Sequence, residues 1–340
     1  MARILGIETS CDETAAAVVE DRTNVLSNIV ASQIEVHRKY GGVVPEIAAR
    51  HHIEAIGLVI EQALDEGGTK LDEIDAIAVT SGPGLIGSLL VGVCAAKAMA
   101  WQRDLPLLAV NHLEGHVRST FIEHPEIEFP AVALVVSGGH TSLYLCPEEA
   151  VYQRLARTRD DAGGEAFDKV SKLLGLGYPG GPIIDRLAQG ADDAAFVFPQ
   201  AQMKDGSLDF SFSGLKSAVR RRVQEEELAD KSQGEEVPER VRDLVASFQR
   251  AVVSVLVNRT LRAAREHSVR TVLVTGGVAC NSRLGQVFRE AGKRHGLAVY
   301  IPSPKYTTDN AAMIAAAGFL HLERGRLAAT DLNANPGLKL

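Results

Sequence analysis

The chain of 340 residues sets 36 Lys and Arg against 43 Asp and Glu, a formal charge of −7. No global basic field therefore advertises nucleic-acid binding, and any such contact must be a local patch. Apolar content of 46% with 5% aromatics and 31 glycines fits an Ala/Val/Leu-rich α/β protein with tight turns, and four scattered cysteines (Cys11, Cys94, Cys146, Cys280) without a C-x-x-C exclude a disulfide framework and read as buried thiols in a reducing compartment.

In chain order, strand-like runs lie at Ile4–Glu8, Ala16–Glu20, Ile74–Thr80, Leu107–Val110, Ala131–Ser137, Ser142–Cys146, Thr271–Thr275 and Ala298–Ile301, with helical periodicity between them. The chain enters a strand at once, with no charged-then-apolar leader. Its longest apolar stretch, Gly84 to Ala96, is stopped by Lys97 and is too short to span a bilayer. A cytoplasmic protein with no membrane association is expected. Leu244, Val245, Phe248, Val252, Val255 and Leu256 line one face of a long helix from about Val241 to Glu266, and the segment from Gln224 to Arg240 reads as an exposed connection.

Alternation of strands and helices predicts an α/β fold. An internal echo goes further. The run Ile4 to Ser10 leads into the strand at Ala16–Glu20, and Ala133 to Ser142 leads into Leu143–Cys146. Both are apolar strand, small polar turn, apolar strand, which suggests duplicated lobes whose turns face one nucleotide. A third glycine-rich turn, Thr275-Gly276-Gly277, is followed by Asn281.

Gly82-Pro83-Gly84-Leu85-Ile86-Gly87 satisfies G-x-G-x-x-G after a strand and before a helix. Three features argue against a dinucleotide site: the distance from the N-terminus, the donor removed by Pro83, and the lack of an acidic strand end after it (Asp104 falls in a turn). Close packing at Gly84, Gly87 and Gly92 is the expected role.

His112-Leu113-Glu114-Gly115-His116 places two imidazoles four apart, on one helix face, at the spacing that lets both bind one metal ion. Alone, such a pair also describes a solvated helix face. Glu114 falls on the other side of the helix, where it cannot act as the base of an H-E-x-x-H protease. Ser137-Gly138-Gly139-His140 ends a strand as a glycine-rich turn, a way of bringing backbone N–H groups to a phosphate; His140 either bonds within that turn or is structural. His51 and His52 read as satisfied helix-face residues. Lys216 and Arg220-Arg221-Arg222 form the one dense basic cluster, either a phosphate-tracking patch or a solvated helix end beside Glu225-Glu226-Glu227.

The segments GIETSCDETAAAVV from Gly6, GGVVPEIAARHH from Gly41, TSGPGLIGSLLVG from Thr80, VNHLEGH from Val110, LVVSGGHTSL from Leu134, DDAGGEAFDKVSKLLGLGYPGGP from Asp160, DFSFSGLKSAV from Asp209, VTGGVACNSRL from Val274 and TTDNAAMIAAAG from Thr307 occur in order. Together they closely resemble the TsaD family of tRNA threonylcarbamoyladenosine transferases, once described as O-sialoglycoprotein endopeptidases. Cys280 stands where that family more often has Ala or Ser.

The resemblance implies a two-lobed actin/hexokinase/Hsp70-like ATPase fold with duplicated mixed-sheet lobes and a nucleotide cleft between them. The lobes are expected at 1–110 plus 311–340, carrying the first hairpin and partner-docking helices, and at 111–310, carrying the metal-binding histidines and the nucleoside-binding segments. The implied reaction moves a threonylcarbamoyl group from threonylcarbamoyl-AMP to the exocyclic amine of the adenosine 3′ of the anticodon, in tRNAs reading codons that begin with A. His112, His116 and Asp309 fall on the family's metal ligands, although Asp309 by itself would read as a surface or capping residue. Val135, Val136, Ser137, Gly138, Gly139, Asp168, Gly181, Asp185 and Asn281 fall on its ligand-binding positions. The implied cofactors are one divalent ion, Fe(2+) favoured over Zn(2+), and an adenine nucleotide, with ATP able to enter the same cleft.

Backbone N–H groups at Ser137–Gly139 and at the Thr9–Ser10 turn would face phosphate, and Asp168 and Asp185 suit ribose hydroxyls. Asp12 and Glu13 are candidates to orient or deprotonate the attacking amine, or else a turn residue and a solvated acid. Implied partners are tRNA, a paralogous actin-like subunit (TsaB-like) docking near Glu46–Glu61, and a small P-loop ATPase (TsaE-like). Two other readings stay open: an actin-like small-molecule kinase, which has no need of His112 and His116, and a non-catalytic nucleotide-binding scaffold.

Overall fold

The first apolar run folds as β1 (Arg3–Glu8), the middle of a five-stranded sheet. The computed structural model describes residues 1–200, 203–228 and 237–340. Two units divide them: Met1–Ile127 with Pro302–Leu340, and Glu128–Ile301.

In the first unit β2 (Glu13–Glu20) and β3 (Asn24–Ser32) extend β1 antiparallel on one side. On the other side β4 (Ala76–Gly82) and β5 (Leu107–Asn111) run parallel to it. The helices are α1 (Ile34–Arg38), α2 (Pro45–Glu66), α3 (Ile86–Arg103) and α4 (His112–Glu123). Successive strand residues point to opposite faces. Leu5, Ile7, Ala16, Val18, Ile77 and Val79 accordingly pack in one core with Val59, Ile60 and Ala63 of α2 and Val93 and Ala96 of α3.

The second unit repeats the plan. Strands β6 (Ala131–Val136), β7 (Thr141–Cys146) and β8 (Gln153–Arg157) form an antiparallel set. Helices α5 (Gly163–Leu173), α6 (Gly180–Leu187), α7 (Ser213–Glu225) and α8 (Glu239–Glu266) come next. Strands β9 (Thr271–Thr275) and β10 (Ala298–Tyr300), separated by α9 (Ser282–His295), then add parallel to β6. The strand orders are β3-β2-β1-β4-β5 and, read from the other end, β8-β7-β6-β9-β10. The two sheets are the same sequence of three antiparallel strands followed by two parallel ones, so the echo in the sequence is a duplication of the fold. Part of the expected connection from Gln224 to Arg240 is helical (α7 ends at Glu225, α8 begins at Glu239), and 229–236 lie outside the described residues.

The chain returns to the first unit as α10 (Pro304–Thr307) and α11 (Ala311–Glu323). The small side chains of α11 let it lie close on the sheet face carrying Ile4, Ala15, Ala17, Val19, Ala76 and Ala78. It also packs along α4. This corrects the expected boundaries of 1–110 plus 311–340 and 111–310: α4 and residues 302–310 belong to the first unit. The physical reason is that α4 buries its surface against α11, and Glu123 at its end accepts hydrogen bonds from Ser303 N and Oγ at 2.6 and 2.7 Å. Among the described residues, no helix is long and apolar enough to cross a membrane. None of the four cysteines is in a disulfide, but Cys94 and Cys280 are exposed rather than buried.

Candidate metal centre and nucleotide-binding turn

Asn111 ends β5 and caps α4, its Oδ1 accepting from Leu113 N at 2.9 Å. His112 is therefore the first residue of the helix, and His116 follows one turn later. Every residue of α4 from His112 to Ile122 is buried, which rules out the solvated-face reading. The rings meet edge-on, with centroids 4.6 Å apart. Asp309 sits just before Asn310, the N-cap of α11, so the packing of α11 on α4 carries its carboxylate to the histidines. Asp309 Oδ1 lies 3.8 Å from His112 Nε2 and 3.1 Å from His116 Nε2. One ligand atom from each residue falls within 4.8 Å of the others. Glu114 faces away, bonded to His321 Nε2 at 3.0 Å.

This group fits a divalent ion. Donors about 2.1 Å from one ion stand roughly 3.0–3.4 Å apart. His116 is fully buried; among the described residues its Nδ1 has no hydrogen-bond partner and its Nε2 meets only Asp309 Oδ1, at 3.1 Å. A buried ring so poorly satisfied is costly unless something else completes it. Burial, which outweighs the help from Asp309, lowers the His116 pKa and keeps the imidazole neutral, the form that ligates. For His112 burial opposes protonation, but the charges of Asp309 and Glu8 win and raise it to about 9. Two imidazoles and a carboxylate suit Fe(II) or Zn(II).

The turn from β1 to β2 lies beside this group. Asp12 is buried and Glu13 partly so. Glu13 is pushed well above the usual carboxylate range by burial, then by the charges of Asp12 and Asp309. Burial and the same acids raise the Cys11 thiol, which makes it a poor nucleophile. His52 is buried and satisfied, bonded through Nδ1 to Thr14 Oγ1 at 2.7 Å and through Nε2 to Cys11 O at 2.9 Å. The glycines of the G-x-G-x-x-G segment and of the helix after it serve close packing. A Cβ on Gly84 would stand 2.5 Å from Ser10 O, and one on Gly92 2.4 Å from Thr9 Oγ1. The Gly84 N–H is directed at Pro336 O of the C-terminal tail, at 3.4 Å.

In the second unit the turn after β6 exposes Gly138 and Gly139. Ser137 corrects one expectation. Its N–H donates to His140 O at 2.8 Å and its Oγ accepts from His140 N at 3.2 Å, so its own amide is committed within the turn. Val135 and Val136 are fully buried strand residues; their side chains belong to the core and can act on a ligand only by placing the turn. The first residues of α5 abut that turn, with Gly164 N donating to Ser137 O at 3.1 Å.

The other expected ligand residues are linked through α6. Asp168 Oδ1 accepts from Gly180 N at 2.7 Å, at the start of the helix. Gly181 and Asp185 are one turn apart on it, and Gly181 has open space where a Cβ would lie. Asp185 accepts from Ser282 Oγ and N at 2.8 and 3.1 Å. Asn281 caps α9 through Leu284 N at 2.9 Å and donates to Gln249 Oε1 at 2.8 Å. Asp185, Gln249 and Ser282 line a cavity of about 230 Å³ together with Asp193 and Arg283. Gln249 and Ser282 went unread in the sequence, since neither stands in a motif that singles it out.

The basic cluster is partly neutralised. Arg222 pairs with Glu225 at 2.9 Å, Arg221 lies 3.9 Å from the same residue, and Lys216 lies 4.0 Å from Asp161.

Several known proteins share this plan. The family model described as "TsaD: tRNA N6-adenosine threonylcarbamoyltransferase" matches residues 24–316. A tRNA N6-adenosine threonylcarbamoyltransferase of Clostridium perfringens is 50% identical over 337 residues, 99% of this chain and 98% of that one. The protein of that name from Syntrophobacter fumaroxidans is 54% identical over 316 residues, 93% of each chain. Among solved structures, component A of the Acidaminococcus fermentans (R)-2-hydroxyglutaryl-CoA dehydratase superposes with a TM-score of 0.56, covering 95% of this chain and 100% of its own at 15% identity. Full-length HypF in its phosphate- and nucleotide-bound form gives 0.62, with 95% of this chain and 56% of that chain covered at 15% identity. These likenesses establish the actin/hexokinase-like ATPase fold. Matched along nearly its whole length to relatives that share half its residues, the chain belongs to the TsaD family of tRNA N6-adenosine threonylcarbamoyltransferases.

Proposed function

We propose that this chain transfers a threonylcarbamoyl group from threonylcarbamoyl-AMP to N6 of the adenosine 3′ of the anticodon, in tRNAs reading codons that begin with A. The observation that carries the reading beyond family membership is the buried convergence of His112, His116 and Asp309. A kinase or an inert scaffold has no use for that group.

The adenine amine is a weak nucleophile because its lone pair is delocalised into the ring. It attacks the carbamoyl carbon, the bond to the phosphate oxygen breaks, AMP leaves, and the amine gives up a proton. His112, His116 and Asp309 would hold a divalent ion, Fe(2+) favoured and Zn(2+) possible, which would supply Lewis acidity to the carbonyl. Asp12 and Glu13 handle the proton. Burial and the neighbouring acids raise the proton affinity of Glu13, which suits it to accept that proton. In the second unit, the Gly138–Gly139 turn and the start of α5 receive the phosphate. Asp168 and Asp185 accept from ribose hydroxyls, and Gly181 leaves room for the sugar or base. ATP fits the same residues.

Replacing Asp185 with Ala is expected to weaken adenylate binding by roughly 10-fold or more, since a hydrogen bond to a charged acceptor contributes about 1.5–3 kcal/mol. The lost contact with Ser282 is expected to cost about 1 kcal/mol of stability. Titration calorimetry checks the first and thermal melting the second. Unchanged adenylate affinity would remove Asp185 from the site.

The deciding experiment is transfer of a labelled threonylcarbamoyl group to unmodified tRNA, with and without partners. At a net charge of −7, with Arg221 and Arg222 beside Glu225, the isolated chain is expected to bind tRNA weakly and turn over poorly. A paralogous actin-like subunit and a small P-loop ATPase complete the surface, the former docking on α2, whose Ile53 and Leu58 are 66% and 63% exposed. Changing Arg220, Arg221 and Arg222 together to Ala is expected to lower the slope of log affinity against log salt by about 1. An unchanged slope makes them a solvated helix end, and vigorous multiple turnover by the chain alone at physiological salt defeats the partner requirement. The enzyme works where tRNA is, in the cytoplasm.

A further inference from the structure

Glu8 is the last residue of β1 and is wholly buried. A carboxylate removed from water is tolerated only where donors surround it. Three do. Thr80 Oγ1 donates to Oε2 at 2.6 Å, Ser10 N donates to Oε1 at 2.5 Å, and His112 Nδ1 lies 3.1 Å from Oε2. Ser10 Oγ also lies 3.1 Å from His112 Nδ1.

We propose that Glu8 is a positioning residue of the metal centre: it accepts the Nδ1 proton of His112, fixing the tautomer whose Nε2 lone pair points toward Asp309, and its other oxygen anchors the turn that carries Asp12 and Glu13. The proposal rests on His112, His116 and Asp309 being metal ligands. Donors and acceptors around Glu8 decide the tautomer. An ionised carboxylate has no proton to give. With Thr80 and Ser10 both donating into Glu8, the ring nitrogen facing Oε2 carries the hydrogen, and in the neutral imidazole the lone pair then lies on Nε2, on the Asp309 side. A second hydrogen bond of this kind fixes ring orientation and raises ligand basicity. The same carboxylate reaches Ser10 N, so orientation of the histidine and the path of the Thr9–Thr14 turn are set by one side chain.

Glu8→Gln tests this without removing bulk. Ser10 N still needs an acceptor, so the amide oxygen stays on its side and the NH2 group faces His112 Nδ1, with Thr80 Oγ1 turning to accept. The amide then donates to Nδ1 and favours the tautomer with hydrogen on Nε2, which cannot ligate. Titration of metal-free protein with Zn(II) and Fe(II) is expected to show affinity lowered 10- to 100-fold, with a melting temperature close to that of the native protein. Glu8→Asp, which keeps the charge but draws it back, is expected to fall between. In the Zn(II)-loaded native protein, long-range 1H–15N spectra are expected to show His112 with a slowly exchanging proton on Nδ1. Native affinity in Glu8→Gln, or a lower melting point with unchanged metal affinity, overturns the proposal and leaves the metal reading standing. If Glu8→Gln does not fold, the native spectrum decides, and a proton on Nε2 of His112 overturns it. Native protein that takes up neither metal overturns the triad reading and this inference with it.

Discussion

With His116 replaced by Ala, the protein is expected to keep its fold, lose its metal and lose transfer activity by roughly 10³-fold. The activity figure follows from Lewis-acid stabilisation of several kcal/mol, at about 1.4 kcal/mol for each factor of ten. The fold should survive for a reason visible in the site. The His116 ring is fully buried, with Nδ1 unpartnered among the described residues and Nε2 facing only Asp309, so truncation loses packing but also removes poorly satisfied polar atoms. His112→Ala and Asp309→Asn are expected to have the same effect on metal and transfer. Glu114→Gln is the matched control: it lies between the two histidines on the same helix, but its carboxylate faces His321, so metal content and transfer should be unaffected. Metal analysis, melting curves and single-turnover transfer, done on the same preparations, separate these outcomes. Full activity in chelator-stripped protein, or in His116→Ala, would remove the metal from the mechanism.

The histidine pair was legible in sequence because helical spacing is a local property: four residues apart means one face whatever the rest of the chain does. Asp309 was legible only through resemblance. What brings it to the histidines is α11 lying along α4, a contact between distant segments that no local pattern encodes. The lobe boundary failed for the same cause, since α4 follows β5 directly but its burial is decided by the returning helix. Strands β3 and β8 were missed. Their sequences, Asn24–Ser32 and Gln153–Arg157, are edge strands whose polar and apolar residues do not alternate cleanly with burial, and the weak alternation of an edge resembles that of a loop. Glu8 left a signal that went unread: an acid closing the otherwise apolar run Ile4 to Ile7 has to be paired if the strand is buried. The internal echo was read correctly because both halves kept the apolar strand, small turn, apolar strand pattern, and the identical strand orders show why that pattern persisted. Val135 and Val136 show the converse. Resemblance puts them among ligand-binding positions, yet their side chains are core, because a strand that presents a turn must itself be held rigid.

Two glycine substitutions, one within the β6–β7 turn and one in the helix start that abuts it, are expected to behave oppositely, and the contrast tests whether that turn receives phosphate. At Gly138 an added Cβ would have no neighbour within 4 Å, and the residue is not among those with positive φ. Gly138→Ala should therefore change stability by no more than about 0.5 kcal/mol, or raise it slightly by stiffening the unfolded chain. A phosphate seated against that backbone, however, would meet the new methyl, and adenylate affinity should drop by about 10-fold or more. At Gly164 a Cβ would stand 2.7 Å from Ser137 O, 2.8 Å from Gly138 Cα and 2.9 Å from Gly138 N, all backbone atoms that cannot step aside alone. Gly164→Ala should cost about 1–3 kcal/mol through overpacking and weaken nucleotide binding by displacing the turn. Metal binding in the first unit should be untouched in both variants, because its ligands are His112, His116 and Asp309. Calorimetric titration with AMP and ATP, beside melting curves, reads each effect. If Gly138→Ala binds nucleotide as tightly as the native protein, phosphate does not sit on this turn, and the phosphate site must be sought along α6 around Gly181 and Asp185 instead.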